Sequence, residues 1–305
     1  MASLRKAYVR RFRVGHANWM NLPEPTCVDV RYGPNERNVL DLWLADSADP
    51  RPLVLMIHGG GWKGGDKRIQ ISDEWAPCFE DLPLADIHLA SMNYRLLSPD
   101  NPLPAPLDDA ARAIQFLRSE ADSRGFDKEK IAAFGTSAGG CSALWLSFHH
   151  DMADPDSDDP VLRESTRPAC SAVINAQCSI YPPQLRDWGG ALAEQHGMIA
   201  TAFGLRSVEE SYEAGFERLY LHYSPYTHLR KDACPVFLEY QNGDLTYPGK
   251  DIGHAIHHPR FGVKVKQAMD SLGIECWLKI ADEIQGEDRK YKNYAEFLID
   301  KLLPR

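Results

Sequence analysis

At 305 residues the chain could form one large domain or two small ones, and its 44% hydrophobic and 25% charged content is that of an ordinary soluble globular protein. A net charge of −9 with no long Lys/Arg block argues against nucleic acid as a partner. No apolar run approaches the roughly 18 residues needed to span a membrane.

From the N-terminus, Arg5-Lys6, Arg10-Arg11 and Arg13 form a short basic stretch. It reads as a solvated, frayed terminus rather than a contact with an anionic surface. The first 25 residues lack the apolar core of an export signal, so the expected compartment is the cytoplasm. The seven cysteines are odd in number and show no CxxC spacing, which suits reduced, packed thiols.

Val28, Val30 and Tyr32 alternate with polar residues, Gly33-Pro34-Asn35-Glu36 turns the chain, and Leu40, Leu42 and Leu44 alternate again. That pattern predicts an antiparallel hairpin. Short continuous apolar runs follow at 53–57, 87–90, 131–134, 172–176, 236–240 and 274–280. Such runs predict parallel strands covered on both faces. Helices intervene: Leu107, Ala110, Ile114, Leu117 and Ala121 make one stripe, and Val265, Ala268, Met269 and Leu272 make another before Gly273. The alternation implies a doubly wound, mostly parallel sheet of about eight strands in one domain, 26–305, behind an N-terminal extension, 1–25. Residues 178–230 break the rhythm, being long and aromatic-rich. An insertion there would lie over the carboxyl ends of the strands as a cap.

Two glycine-rich turns carry the chemistry. His58-Gly59-Gly60-Gly61-Trp62 follows the strand at 53–57. Acyl transfer needs fixed N–H donors aimed at a developing oxyanion, and glycines let the backbone turn its amides inward. A simple chain reversal is the plainer alternative. A phosphate loop is a second one, but neither G-x-G-x-x-G nor a G-K-[ST] ending is present. Gly135-Thr136-Ser137-Ala138-Gly139 follows the strand at 131–134 and opens a helix over 138–149. A serine on a sharp strand-to-helix turn has a clear attack path, and only glycine tolerates the crowding beside it. Ser137 is the expected nucleophile, and the Gly60, Gly61 and Ala138 amides are the expected oxyanion donors.

These residues, with Asn38–Leu44, Asn93-Tyr94-Arg95-Leu96, Pro104–Asp109, Ser224-Pro225 and Pro235–Asp244, resemble the carboxylesterase branch of the α/β-hydrolases related to hormone-sensitive lipase. Within that branch the likeness is to the acetyl- and feruloyl-esterase-like members. The resemblance implies an α/β-hydrolase fold, small carboxylic esters of aryl or carbohydrate type as substrates, an acyl-enzyme and no cofactor. It also implies a catalytic acid just after the seventh strand, where Asn242-Gly243-Asp244 stands, with Asp251 as runner-up. A turn-forming Asp after Gly is the plainer explanation of Asp244.

One element of the family pattern is missing. Its histidine follows the eighth strand, but here that loop reads Ala281-Asp282-Glu283-Ile284-Gln285-Gly286, and no histidine occurs after His258. Three histidines instead stand in Gly253-His254-Ala255-Ile256-His257-His258-Pro259, in a segment anchored at the acid loop. One of them could supply the imidazole, and His257 is the expected base, with His228 next in line. They could also be bland surface residues or, least favoured, metal ligands. His149 and His150 are expected to complement the end of the nucleophile helix. The rival to an esterase is a binding protein on a hydrolase scaffold that lost its base. Peptidase or amidase chemistry is a third option.

Overall fold

The computed structural model describes residues 24–68, 75–213, 215–286 and 288–303. The basic N-terminal stretch lies outside them. The predicted hairpin is present as β1 (Cys27–Arg31) and β2 (Val39–Trp43), paired antiparallel. β3 (Arg51–Ile57), β4 (His88–Met92), β5 (Phe126–Thr136), β6 (Ser171–Ile174), β7 (Val236–Tyr240) and β8 (Cys276–Ile280) follow, with the two-residue β9 (Glu283–Ile284) at the far edge. All join one nine-stranded sheet in the order β1-β2-β4-β3-β5-β6-β7-β8-β9. β3 to β8 pair in parallel, while β1, β2 and β9 run antiparallel at the edges.

The continuous apolar runs are explained by two cores, one on each face of the sheet. Leu53, Leu55 and Ile57 enter one cluster, and Val54 and Met56 enter the other. On the first face lie α2 (Ala105–Ser119), α4 (Ser137–Phe148) and α10 (Arg260–Leu272). On the second lie α1 (Ala76–Leu84) and α11 (Tyr294–Leu302), through Phe79, Leu82, Phe297 and Leu298. A short α3 (Ala121–Arg124) leads into β5, which begins five residues earlier than its apolar run, since Phe126 pairs with Arg51. The Asp127–Lys130 stretch reads as loop because it is polar, and the register with β3 is interrupted between Phe126 and Ile131. All seven cysteines are free, and all but Cys27 are buried.

Between β6 and β7 the chain folds into short helices: α5 (Pro182–Gly189), α6 (Ala191–Glu194), α7 (Gly197–Thr201) and α8 (Phe216–His222). Their aromatic side chains turn inward. Trp188 packs edge-on against Tyr226 and Phe261, and Phe203 against Tyr220. A further short helix, α9 (Ile252–Ile256), leads into α10. α5 and α9 meet closely, for a Cβ on Gly189 would stand 2.3 Å from the Ala255 carbonyl oxygen. Gly249 also donates its amide to the Gly189 carbonyl at 3.0 Å. The insertion therefore braces the segment that carries the three histidines. Among the described residues no helix is long and apolar enough to cross a membrane.

Candidate active site

The turn between β5 and α4 is built by exclusion of side chains. A Cβ on Gly135 would lie 2.3 Å from the Gly139 carbonyl oxygen, and one on Gly139 would lie 2.1 Å from that of Ile57. Both neighbours are backbone and cannot step aside, so these positions require glycine. Between them Ser137 sits at φ 50°, in the left-handed region where a non-glycine residue is strained. The turn lifts the hydroxyl off the end of the sheet, and its Oγ–H donates to His257 Nε2 at 2.9 Å.

The His58–Trp62 loop lies against this elbow: a Cβ on Gly59 would be 3.2 Å from that of Ser137. Gly60 and Gly61 both have positive φ, 97° and 61°. Among the described residues their amides donate to no backbone acceptor. The Ala138 amide, in the first turn of α4, has no acceptor within its helix. Among the described residues, these three N–H groups beside the serine therefore have no backbone acceptor. The loop is fixed from behind by Tyr94 and by its own Trp62. The Tyr94 hydroxyl lies 2.8 Å from the His58 carbonyl and 3.1 Å from that of Gly59. Trp62 Nε1–H donates to Ser142 Oγ at 3.0 Å, and Ser142 in turn donates to the Ala138 carbonyl at 3.1 Å. That relay ties the glycine loop to the nucleophile helix.

His58 is fully buried, stacked on Tyr94 with ring centroids 4.2 Å apart, and its Nδ1–H donates to the Gly59 carbonyl at 2.8 Å. Burial pushes its pKa down to about 4. His149, at the end of α4, is likewise pushed down to about 4, by burial and by the imidazoles of His228, His150 and His222. It is thus neutral near pH 7 and does not complement the helix end as a cation. The unfolded chain takes up these protons near pH 6.5 and the folded chain only near 4. Stability is therefore complete above about 6.5 and falls as the pH drops toward 4. For His58 alone the loss by pH 4.5 is on the order of 2–3 kcal/mol. Urea unfolding midpoints of wild type and His58→Asn at pH 7.5 and 4.5 check this. An equal pH dependence in the two proteins would exclude His58 as the source.

The three histidines of the α9 segment point three ways. His257, just past the end of α9, faces Ser137, and its Nδ1–H donates to the Gly253 carbonyl at 3.0 Å. Because a carbonyl only accepts, the proton is fixed on Nδ1 and Nε2 is left as the acceptor for the serine. Burial, followed by the charge of His196, outweighs the Gly253 carbonyl and holds the His257 pKa below its ordinary value. His254 and His258 are buried and turn to backbone carbonyls, those of Asp244 and Thr246.

The structure does not bring the Asp244 carboxylate to the base. That carboxylate pairs with Lys250 and accepts the Thr246 amide at 2.9 Å, and among the described residues it makes no bond to His257. The Lys250 bond, with those from Thr246, holds its pKa well below the usual carboxylate range. The physical reason is proximity: the ammonium six residues on reaches the carboxylate inside the same loop. Asp251 does not face the base either, since its Oδ1 caps α9 by accepting the His254 amide at 2.8 Å. His228 packs on His149, 4.5 Å between centroids, and donates to the His222 carbonyl. Among the described residues no group of three or more His, Cys, Asp or Glu side chains is placed to hold a metal ion.

Comparison with known proteins agrees with this frame. The BD-FAE family profile matches residues 40–250. An AB hydrolase superfamily protein of Schizosaccharomyces pombe is 35% identical over 41% of this chain and 36% of its own. A probable carboxylic ester hydrolase, LipM of Mycobacterium tuberculosis, is 29% identical over 72% of this chain and 48% of its own. The chain thus spans no more than about half the length of these curated relatives. Among solved structures, an acetyl ester-xyloside bifunctional hydrolase from Caldicellulosiruptor lactoaceticus superposes with a TM-score of 0.59 at 24% identity, covering 79% of this chain and 77% of that one. With its fold, its elbow and a profile match across most of its length, the chain belongs to the BD-FAE family, on an α/β-hydrolase fold.

Proposed function

We propose that the protein is a serine hydrolase of small carboxylic esters acting through an acyl-enzyme. The observation that carries this is the 2.9 Å bond from Ser137 Oγ to His257 Nε2, formed at a glycine-flanked elbow beside three amides that have no backbone acceptor among the described residues. Ser137 attacks the ester carbonyl while His257 takes its proton. The amides of Gly60, Gly61 and Ala138 receive the charge that develops on the carbonyl oxygen. His257 returns the proton to the departing alcohol, and the same base then activates water to release the acid. These steps call on no cofactor. A pure binding protein would have no use for a strained serine aligned with an imidazole, which favours the hydrolase over that rival.

For the alcohol side, an aryl or carbohydrate group is the proposed class. The carbohydrate half is supported by the acetyl ester-xyloside hydrolase and carbohydrate esterase names among the similar structures, and the aryl half by the resemblance alone. Most aromatic rings of the 178–230 insertion, Trp188, Phe203, Tyr220 and Tyr226 among them, pack into or against the core and add no support. A p-nitrophenyl ester series from acetate to palmitate tests the reading, with kcat/KM expected to peak at the short acyl chains. A maximum at the long end would mean a lipase. No turnover of any member by folded protein would return the binding scaffold to first place.

A further inference from the structure

Among the described residues, no carboxylate is bonded to His257. Its ring is bonded to Ser137 from α4 and to the Gly253 carbonyl from α9, and the imidazole of His196, before α7, adds to the lowering of its pKa. The two acids of the same segment are occupied, Asp244 by Lys250 and Thr246, and Asp251 by the His254 amide.

What holds the base-bearing turn is a stacked histidine pair. The His254 and His258 rings lie 4.9 Å apart with 12° between their planes. His254 Nε2–H donates to the Asp244 carbonyl at 2.9 Å, and its Nδ1 accepts the Lys250 amide at 3.2 Å. His258 Nε2–H donates to the Thr246 carbonyl at 3.1 Å, and its Nδ1 accepts the Arg260 amide at 3.1 Å. Each ring has one nitrogen that donates and one that accepts, both matched, which places a proton on Nε2. The Gln177 side-chain amide secures the end of α9 by donating to the Ile256 carbonyl at 2.8 Å.

Resting on the hydrolase reading above, we propose that His257 serves a two-residue unit, Ser137–His257, in which the Gly253 carbonyl does the orienting that a carboxylate does elsewhere. His254 and His258 are its positioning residues, clamping the turn to the backbone of Asp244 and Thr246. A carbonyl fixes tautomer and ring angle as a carboxylate would. It brings a partial charge instead of a full one, and the carboxyl end of α9 supplies more of the same sign. Asp244 belongs to the clamp through its carbonyl, and its carboxylate serves only its own loop.

The test is ¹H–¹⁵N NMR of the histidine ring nitrogens in the full chain, with the His257 signals assigned by their loss in His257→Gln. The expected result is an Nδ1–H tautomer whose titration midpoint moves by less than about 0.3 in pH in Asp244→Asn. Asp244→Asn should also keep kcat within about tenfold of wild type, where loss of a triad carboxylate costs about 10⁴. His258→Phe should lower kcat at least about tenfold at unchanged KM, and His258→Gln, which keeps a donor for the Thr246 carbonyl, should recover most of it. A His257 midpoint that falls sharply in Asp244→Asn, with a kcat loss near 10⁴, overturns the proposal. So does His258→Phe with wild-type kcat. Because the ring titration is read without turnover, it stands apart from the serine-probe labelling that tests the hydrolase reading itself.

Discussion

Ser137→Ala is expected to abolish labelling by a fluorophosphonate probe and to lower kcat on a short ester by about 10⁶, leaving only what the oxyanion amides and substrate binding supply. The reason is that the serine does two things no neighbour can do. Its Oγ is the nucleophilic atom bonded to His257 Nε2, and its backbone, at φ 50°, forms the corner that places that atom. Alanine keeps the corner and its strain but removes the nucleophile, so the melting temperature should stay within a few degrees of wild type. Intact-mass measurement after probe treatment, beside a thermal melt, separates the two effects. A Ser137→Ala protein that is still labelled would place the nucleophile elsewhere. A folded wild type that takes no label at neutral pH would leave the elbow without a catalytic role.

What was legible in the sequence was what is local. Val236–Tyr240 is read as a strand and is one, because a run buried on both faces needs no partner to reveal it. The elbow and the glycine loop are legible for a related reason: steric crowding at Gly135 and Gly139, and positive φ at Gly60 and Gly61, are written in residue type. β9 and the first residues of β5 were not legible, since their side chains are largely polar. The acid is a different case. Position after β7 suggests Asp244 as the partner of a histidine, but its fate is decided by Lys250, which is nearer in space. Local sequence ranks the three histidines, since His258 precedes Pro259 and His254 follows Gly253, which leaves His257 as the expected base. The structure stacks His254, in α9, on His258, two residues past the helix end. That leaves His257 unpaired and turned toward the serine. The Gly253 carbonyl has no sequence signature at all, because every residue has one.

His257→Ala carries the second large effect. With the hydroxyl left to ionise unaided, kcat is expected to fall by about 10⁴–10⁶. His254→Ala and His258→Ala act only through the turn and should cost much less. The melting temperature of His257→Ala should change little, since its ring is only half-buried and bonds one serine and one carbonyl. The two buried rings should show the opposite balance, losing more stability than rate, because each leaves a carbonyl and an amide unmatched. The pH profile adds an independent sign. Burial holds the His257 pKa below its ordinary value, and the neutral ring is the active form. The acid limb of kcat/KM should therefore fall below about pH 6.5, and the rate should be lost as the pH drops through that lowered value. A carboxylate on Nδ1 would instead stabilise the imidazolium and move the limb upward. A limb above pH 7 in wild type, or His257→Ala retaining activity within about tenfold, would mean that another group takes the serine's proton.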